Sequence, residues 1–292
     1  MYRPRRLGAL VAGVLVAVTL PGPAAAGPAT RPAFGDLSAP IRPGIRTETA
    51  GGRCTANFVF TDDRGRVYLG QSGHCSRVPD ENAPFDTTTC EFGRQAPLGT
   101  RVPLGETGIS GRLVYSSWRT MPEVGERDPD TCRYNDFALI QVPASAIGAV
   151  NPTVPLFGGP TDLNTDGIRP GDLLTGWGAS PLRQGVRLIE PKQTLGVRTH
   201  PSGRVHVVYS ITPGVPGDSG GPYLDPAGRA VGSLSEITLD PPAGNAITDI
   251  ARALAYAERH GGVRGLRLVP GTGAFAGPVL LRALLASPDP PP

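Results

Sequence analysis

The chain has 292 residues, a formal net charge of +3 and a 39% share of hydrophobic residues. That length suits one two-lobed domain or two small ones, and so small a positive balance, with no basic run beyond the first residues, excludes the electrostatic footprint of a nucleic-acid binder. Its 40 glycines and 33 prolines make up a quarter of the chain, but they punctuate apolar stretches, so they read as tight turns between many short strands rather than as disorder.

The chain opens with Arg3, Arg5 and Arg6, followed by an apolar run from Leu7 to Leu20 and a small-residue Ala24-x-Ala26 site. This is the pattern of a signal peptide over residues 1–26, with a mature chain starting near Gly27. Fourteen apolar residues are short for a bilayer span, which weighs against the rival reading of an uncleaved anchor. Later, Val279 to Ala286 is apolar but shorter still and carries Arg282. Export to an oxidising compartment fits the four cysteines. Lys192 is the only lysine among 28 basic residues, a bias that suggests a GC-rich bacterial genome.

Residues 27–50, rich in Pro, Gly and Thr, read as a leader segment. A first lobe over 51–150 follows, with strand-like runs at Ala56–Phe60, Arg66–Gln71, Arg112–Trp118 and Asp136–Val142. A Pro- and Gly-rich linker spans about 143–171. A second lobe over 151–244 carries strand signals at Leu173–Trp177, Gln193–Thr199, Val205–Ile211, Pro222–Leu224 and Ala230–Thr238. Within 245–270, Ile247, Ile250, Leu254 and Ala257 recur at helical spacing, with Gly261 placed to end the helix. Residues 271–292 close on Pro-Asp-Pro-Pro-Pro and read as a mobile tail.

Three short motifs carry chemistry. Pro216-Gly217-Asp218-Ser219-Gly220-Gly221-Pro222 places a serine in a glycine-rich turn, where the backbone bends sharply and a substrate can approach. Amides in such a turn can converge on a carbonyl oxygen that is becoming anionic. Serine is a weak nucleophile alone and needs a base and a group that orients the base. Ser72-Gly73-His74-Cys75 offers the histidine. Asn135-Asp136-Phe137-Ala138-Leu139-Ile140 offers an aspartate entering an apolar strand. The bland readings are a plain turn for Ser219, a core histidine for His74 and a strand-start cap for Asp136. His200, His206 and His260 lie outside any motif and read as structural or solvated.

GHC, NDFALI and GDSGGP in that order resemble the secreted bacterial serine proteases of the trypsin/chymotrypsin-like family, over roughly residues 50 to 265. The resemblance implies an all-β fold of two six-stranded Greek-key β-barrels with a C-terminal α-helix. It implies Ser219 as nucleophile, His74 as general base and Asp136 as the group that orients the imidazole, with the backbone N–H groups of Gly217 and Ser219 as an oxyanion hole. From the residues alone, three cysteine pairings are open. The resemblance implies Cys54–Cys75 across the loop carrying the histidine, with Cys90–Cys132 as the accompanying pair. No CxxC spacing supports metal ligation, so neither a metal nor a cofactor is expected.

Substrate preference is less legible. By the resemblance, Pro213 lies at the base of the primary pocket, Ser235 stands beside the triad, and Ile237 replaces a common glycine and could narrow the pocket. Pro213 brings no carboxylate, so uncharged residues of small or medium size are expected at the cleaved bond, unless Glu236 turns inward to supply a charge. Many relatives activate by pairing a newly cut N-terminus with the aspartate before the nucleophile, here Asp218; Ile41 could serve, although bacterial relatives often dispense with that step. Asp162-x-Asn164-x-Asp166-Gly167 resembles half of a calcium loop. Leu173 stands where that loop wants a glutamate, and Pro170 interrupts it, so an Asx/Gly turn is the better account.

The expectation is therefore a secreted, monomeric serine endopeptidase with a polypeptide substrate, no nucleic-acid partner and no membrane association after signal cleavage. The alternatives are a non-catalytic relative that binds a partner, and an esterase-like hydrolase using the same acyl chemistry.

Overall fold

The computed structural model describes residues 32–278. The signal-peptide reading over 1–26 and most of the tail lie outside the described residues. The described part is mostly β, with two lobes and a closing helix, which is the two-barrel architecture of the chymotrypsin fold.

The second lobe closes completely. Strands Leu173–Trp177, Pro191–Thr199, Val205–Ser210, Pro242–Asp249, Ala230–Leu239 and Pro222–Leu224 follow one another around a six-stranded barrel, each antiparallel to its neighbours. Closure leaves no free edge to template pairing with another chain. Leu174, Val208, Tyr223, Val231, Leu234 and Ile247 fill its interior. The first lobe rests on a six-stranded antiparallel sheet ordered Arg267–Leu268, Val59–Thr61, Val67–Gln71, Ala138–Gln141, Ser110–Ser116 and Arg101–Pro103. The hairpin Arg46–Thr49 and Gly52–Thr55 joins it through a bridge between Thr47 and Leu104. Leu69, Leu113 and Ile140 lie in this lobe's core.

The closing helix runs Ile250–His260. Asp249 caps it, its carboxylate accepting the Arg252 amide at 2.8 Å, which satisfies one of the four unpaired N–H groups of a helix start. Ile250, Ala253, Leu254 and Ala257 are buried against Tyr115, Phe137 and Leu139 of the first lobe. The helix thus pins one lobe to the other, and the chain then returns as strand Arg267–Leu268 to pair with Val59–Thr61. Ile247, counted with the helix by its spacing, belongs instead to the preceding strand, where it fills the barrel. A strand running straight into a capped helix puts both periodicities in one apolar row.

Between the first lobe's strands the sequence reading missed two short helices. Trp118 ends no strand; it lies in helix Ser117–Glu123. Helix Pro129–Tyr134 carries an Asp128 cap, whose side chain accepts the Thr131 amide at 3.0 Å, and proline in its first turn. Residues 143–171 hold only the 3-10 turn Ala144–Ala149. Ile41 is buried, donates its amide to the Ala149 carbonyl and pairs in parallel with Val150, so the chain is part of the fold well before residue 50. In the Asp162–Gly167 turn the Asn164 side chain accepts the amides of Asp166 and Gly167, while Asp166 pairs with Arg229 at 2.8 Å, so these polar groups close a turn and an ion pair.

Candidate active site

Three segments meet where the lobes join. His74 sits in a 3-10 turn, Gly73–Ser76, directly after strand Val67–Gln71. Asp136 lies between helix Pro129–Tyr134 and strand Ala138–Gln141. Ser219 occupies the turn before strand Pro222–Leu224. One carbonyl ties two of these segments to strand Ala230–Leu239. The Leu234 oxygen accepts the Ser72 hydroxyl at 2.8 Å and the Gly220 amide at 2.6 Å, and its own amide donates to Gly221 at 2.9 Å. The Ser219 carbonyl in turn accepts the Thr55 amide at 2.8 Å. Gly220 has φ +85°, and a side chain there would drive into the Gln71–Ser72 backbone, so glycine is required for this approach.

The histidine and the aspartate are locked together. His74 Nδ1 lies 2.7 Å from Asp136 Oδ2, and the His74 amide donates to Asp136 Oδ1 at 2.8 Å. Ser235 donates its hydroxyl to Asp136 Oδ2 at 2.6 Å. A carboxylate only accepts, so Nδ1 carries the hydrogen and Nε2 is left with a free lone pair. Burial works against both charged forms. For His74 the Asp136 charge and hydrogen bond, with Glu236 behind them, outweigh it and hold the imidazole above its ordinary value. For Asp136 burial raises the carboxyl, but the His74 charge and hydrogen bond and the Ser235 hydroxyl bring it below the ordinary range.

Ser219 Oγ makes no hydrogen bond to His74 among the described residues. Donor and acceptor distances at such sites commonly tighten only when substrate is bound. Gly217 has φ +97°, and the amides of Gly217 and Ser219 find no acceptor among the described residues. The turn thus holds two uncommitted donors beside the hydroxyl, while its other amides are used: Asp218 donates to Val215, Gly220 to Leu234 and Gly221 to Asp218.

Beneath the turn lies a charged cluster. Asp218 is fully buried and accepts from Arg183 Nη2 at 2.5 Å and from Lys192 Nζ at 2.9 Å, and from the amides of Ser180 and Val215. Burial would raise this carboxyl, but the two cations hold it below the ordinary carboxylate range. Lys192 is wholly buried, and burial brings its amine below the ordinary lysine value despite Asp218. The same cations reach the backbone ahead of the turn: Arg183 donates to the Pro213 carbonyl at 3.0 Å and Lys192 to the Thr212 carbonyl at 3.4 Å. Glu190 lies within electrostatic reach of Lys192, Arg183 and Asp218, so Pro213 stands over two cations and two carboxylates. Nothing in the sequence marks Arg183, and Lys192 stands out there only as the one lysine of an arginine-rich chain.

A cavity of about 440 Å³ opens beside the imidazole, with His74, Phe85, Trp118, Arg133, Ser235 and Glu236 among its walls. Glu236 faces this cavity. Burial raises its carboxyl and Arg133 opposes that rise. Ile237 is half-exposed at the strand edge. Both disulfides lie near the site. Cys54–Cys75 anchors the turn carrying His74, and Cys90–Cys132 joins the hairpin Phe85–Phe92 to the helix carrying Arg133. Phe92 stacks on Trp118 with ring centres 4.6 Å apart, and the Trp118 ring lies 5.9 Å from that of His74.

No protein-family model matches the chain, and no curated protein matches it. Among solved structures, it is similar to protease A of Thermobifida fusca at 19% identity and a TM-score of 0.49, covering 79% of this chain and 99% of that one. A serine protease described as specific for glutamic acid, with a histidine triad in substrate binding, is similar at 16% identity and a TM-score of 0.49, covering 78% of this chain and 100% of that one. The Nocardiopsis protease is similar at 18% identity and a TM-score of 0.45, covering 78% of this chain and 98% of that one.

Proposed function

We propose that the chain is a secreted serine endopeptidase acting through Ser219, His74 and Asp136. The observation that carries this reading is the set of three hydrogen bonds converging on Asp136, which fix the His74 tautomer and leave Nε2 available at a cavity. A plain strand-start cap has no need to grip an imidazole ring and its backbone at once.

In this mechanism Ser219 Oγ attacks the scissile carbonyl carbon while His74 Nε2 takes its proton. The carbonyl oxygen becomes anionic and is received by the amides of Gly217 and Ser219. Asp136 stabilises the imidazolium, which then protonates the leaving amine. Water repeats the sequence on the acyl-enzyme and regenerates Ser219. The Asp218 cluster holds the turn that presents both amides, so the donors need little rearrangement when charge develops. The segments carrying Ser219 and His74 belong to different lobes, and the shared Leu234 carbonyl keeps them in register.

Site-directed change tests the reading. Ser219→Ala and His74→Ala should each lower kcat on a peptide substrate by about 10⁶, and the double change should add little, because the pair acts as a unit. Near-native turnover by either variant would refute it.

A further inference from the structure

The cavity beside the imidazole holds two guanidinium groups that bond to nothing. Its walls come from the first lobe, except for Ser235 and Glu236, and the turn at residues 216–221 contributes none of them. Arg77 follows the turn that carries His74, and Arg133 lies in helix Pro129–Tyr134. Neither has an ion pair among the described residues. The Arg77 guanidinium lies over the Phe85 ring, 4.3 Å from its centre, and its Nε is buried without a hydrogen-bond partner among the described residues. Trp118, only 7% exposed, brings to the same wall an indole N–H that is also buried without an acceptor. The wall has two carboxylates, and neither satisfies these donors. Both oxygens of Asp136 are taken by the His74 ring, the His74 amide and the Ser235 hydroxyl. Glu236 makes no side-chain hydrogen bond among the described residues; it lies within electrostatic reach of Arg133, and burial pushes its carboxyl toward the neutral form.

We propose that this cavity binds a carboxylate, receiving an aspartate or glutamate side chain that flanks the cleaved residue of the polypeptide, with Arg77 and Arg133 as the residues that select it. The inference rests on the endopeptidase reading above and names a substrate class for that same site. A scissile carbonyl held at Ser219 keeps the cleaved residue over the 216–221 turn, which lines no part of the cavity. The next residue of an extended chain lies about 3.3–3.6 Å further on, so a flanking side chain is the one that reaches past the imidazole. A cavity of about 440 Å³ has room for it. A guanidinium meets a carboxylate through two parallel N–H groups, and such charged pairs are about twice as strong as neutral hydrogen bonds. The carboxylate supplies acceptors to a wall whose buried donors have none. A glutamine of the same shape brings one acceptor and no charge. A lysine would enter against Arg77 and Arg133 together. Glu236 opposes the incoming carboxylate, and its shift toward the neutral form weakens that opposition. The wall is built before substrate arrives: Cys90–Cys132 joins the hairpin bearing Phe85 to the helix bearing Arg133, so little ordering is left for binding to supply.

The experiment uses the mature protein and peptides acetylated and amidated at their ends, so that the scanned side chain carries the only carboxylate. One position at a time on either side of the cleaved residue carries Glu, Gln, Leu, Phe or Lys, and kcat/KM is measured for the native protein, R77Q, R133Q and E236Q. At one flanking position the native protein should favour Glu over Gln at least tenfold. R77Q should remove most of that preference. R133Q should lower it by a smaller factor, because Arg133 also answers Glu236, and E236Q should raise it. A variant that merely loses structure lowers the Glu and Gln peptides together and leaves their ratio alone. Glu and Gln cleaved equally at every flanking position, or a Glu-to-Gln ratio that both arginine variants keep, would overturn the carboxylate site while leaving the peptidase reading intact. Leu or Phe preferred at a flanking position where Glu and Gln are equal would give the cavity to an apolar side chain and overturn it too. No cleavage of any peptide by the native protein would overturn the peptidase reading and this assignment with it. Should R77Q fail to fold, the native ratio, R133Q and E236Q decide the matter.

Discussion

Lys192 and Asp218 form a buried ion pair, Nζ to Oδ2 at 2.9 Å, one residue away from the proposed nucleophile. Arg183 completes the pair from the other side. Where many two-barrel proteases depend on a newly cut N-terminus to engage this aspartate, two side chains already engage it here, and Ile41 is committed to Ala149 and Asn151 instead.

Removing Lys192 leaves Asp218 with Arg183 as its charged partner, so the cost should fall below the roughly 3–5 kcal/mol of breaking an isolated buried pair. Lys192→Met keeps the length of the side chain and loses the charge. It should lower the thermal midpoint and reduce kcat more than it raises KM, because the turn bearing the Gly217 and Ser219 amides loosens. Thermal melts and steady-state kinetics check both. Removal of residues 1–40 should not be needed for activity, and a full-length chain that is inert until cut before Ile41 would contradict this.

The cluster also shows why only part of the site could be read in advance. His74, Asp136 and Ser219 stand in short motifs whose neighbours in sequence are their neighbours in space. Arg183 and Lys192 meet Asp218 across 35 and 26 residues; the closing of the second barrel brings them together, and no local pattern records it. The strands of that barrel were legible because apolar runs bounded by glycine and proline survive any tertiary context. Helices Ser117–Glu123 and Pro129–Tyr134 were missed because seven or six residues are too few for periodicity to show, even though Asp128-Pro129 was a fair start signal.

The pH dependence follows from His74 and its neighbours. His74 must be neutral to take the serine proton, so kcat/KM is lost as pH falls through the histidine's value. Asp136 and Glu236 hold that value above the ordinary one of about 6.5, so the acid limb should be centred higher than for a free histidine. Glu236→Gln removes one of the two negative neighbours, stabilises the imidazolium less and should move the limb to lower pH. A pH–rate profile of both proteins checks the sign, and an unmoved or upward-shifted limb contradicts it.

Ser235 donates its hydroxyl to Asp136 Oδ2, the same oxygen that faces His74 Nδ1, and a hydrogen bond to a charged group contributes about 1.5–3 kcal/mol. Ser235→Ala should therefore lower kcat/KM by roughly 10- to 150-fold if the whole loss falls on the transition state, with little change in the melting temperature. Ser235→Thr, which restores the hydroxyl, should recover most of it.

The two disulfides should separate in their effects. Cys54–Cys75 braces the turn that carries His74, so its removal should cost stability and activity together. Cys90–Cys132 clasps the hairpin and the helix around the Phe92–Trp118 stack, outside both barrel interiors. C90S/C132S should raise KM through a loosened cavity wall beside His74 while near-ultraviolet circular dichroism retains the barrel cores. Equal loss of structure in both double variants would contradict this division.

The most direct test of the account is covalent capture of Ser219. The folded mature protein, treated with a serine-directed fluorophosphonate, should gain one adduct per chain, mapped by mass spectrometry to the peptide containing Gly217-Asp218-Ser219-Gly220. The His74→Ala protein, folded to the same melting profile, should gain almost none. Capture at another serine, or equal capture with and without His74, would contradict the assignment of nucleophile and base.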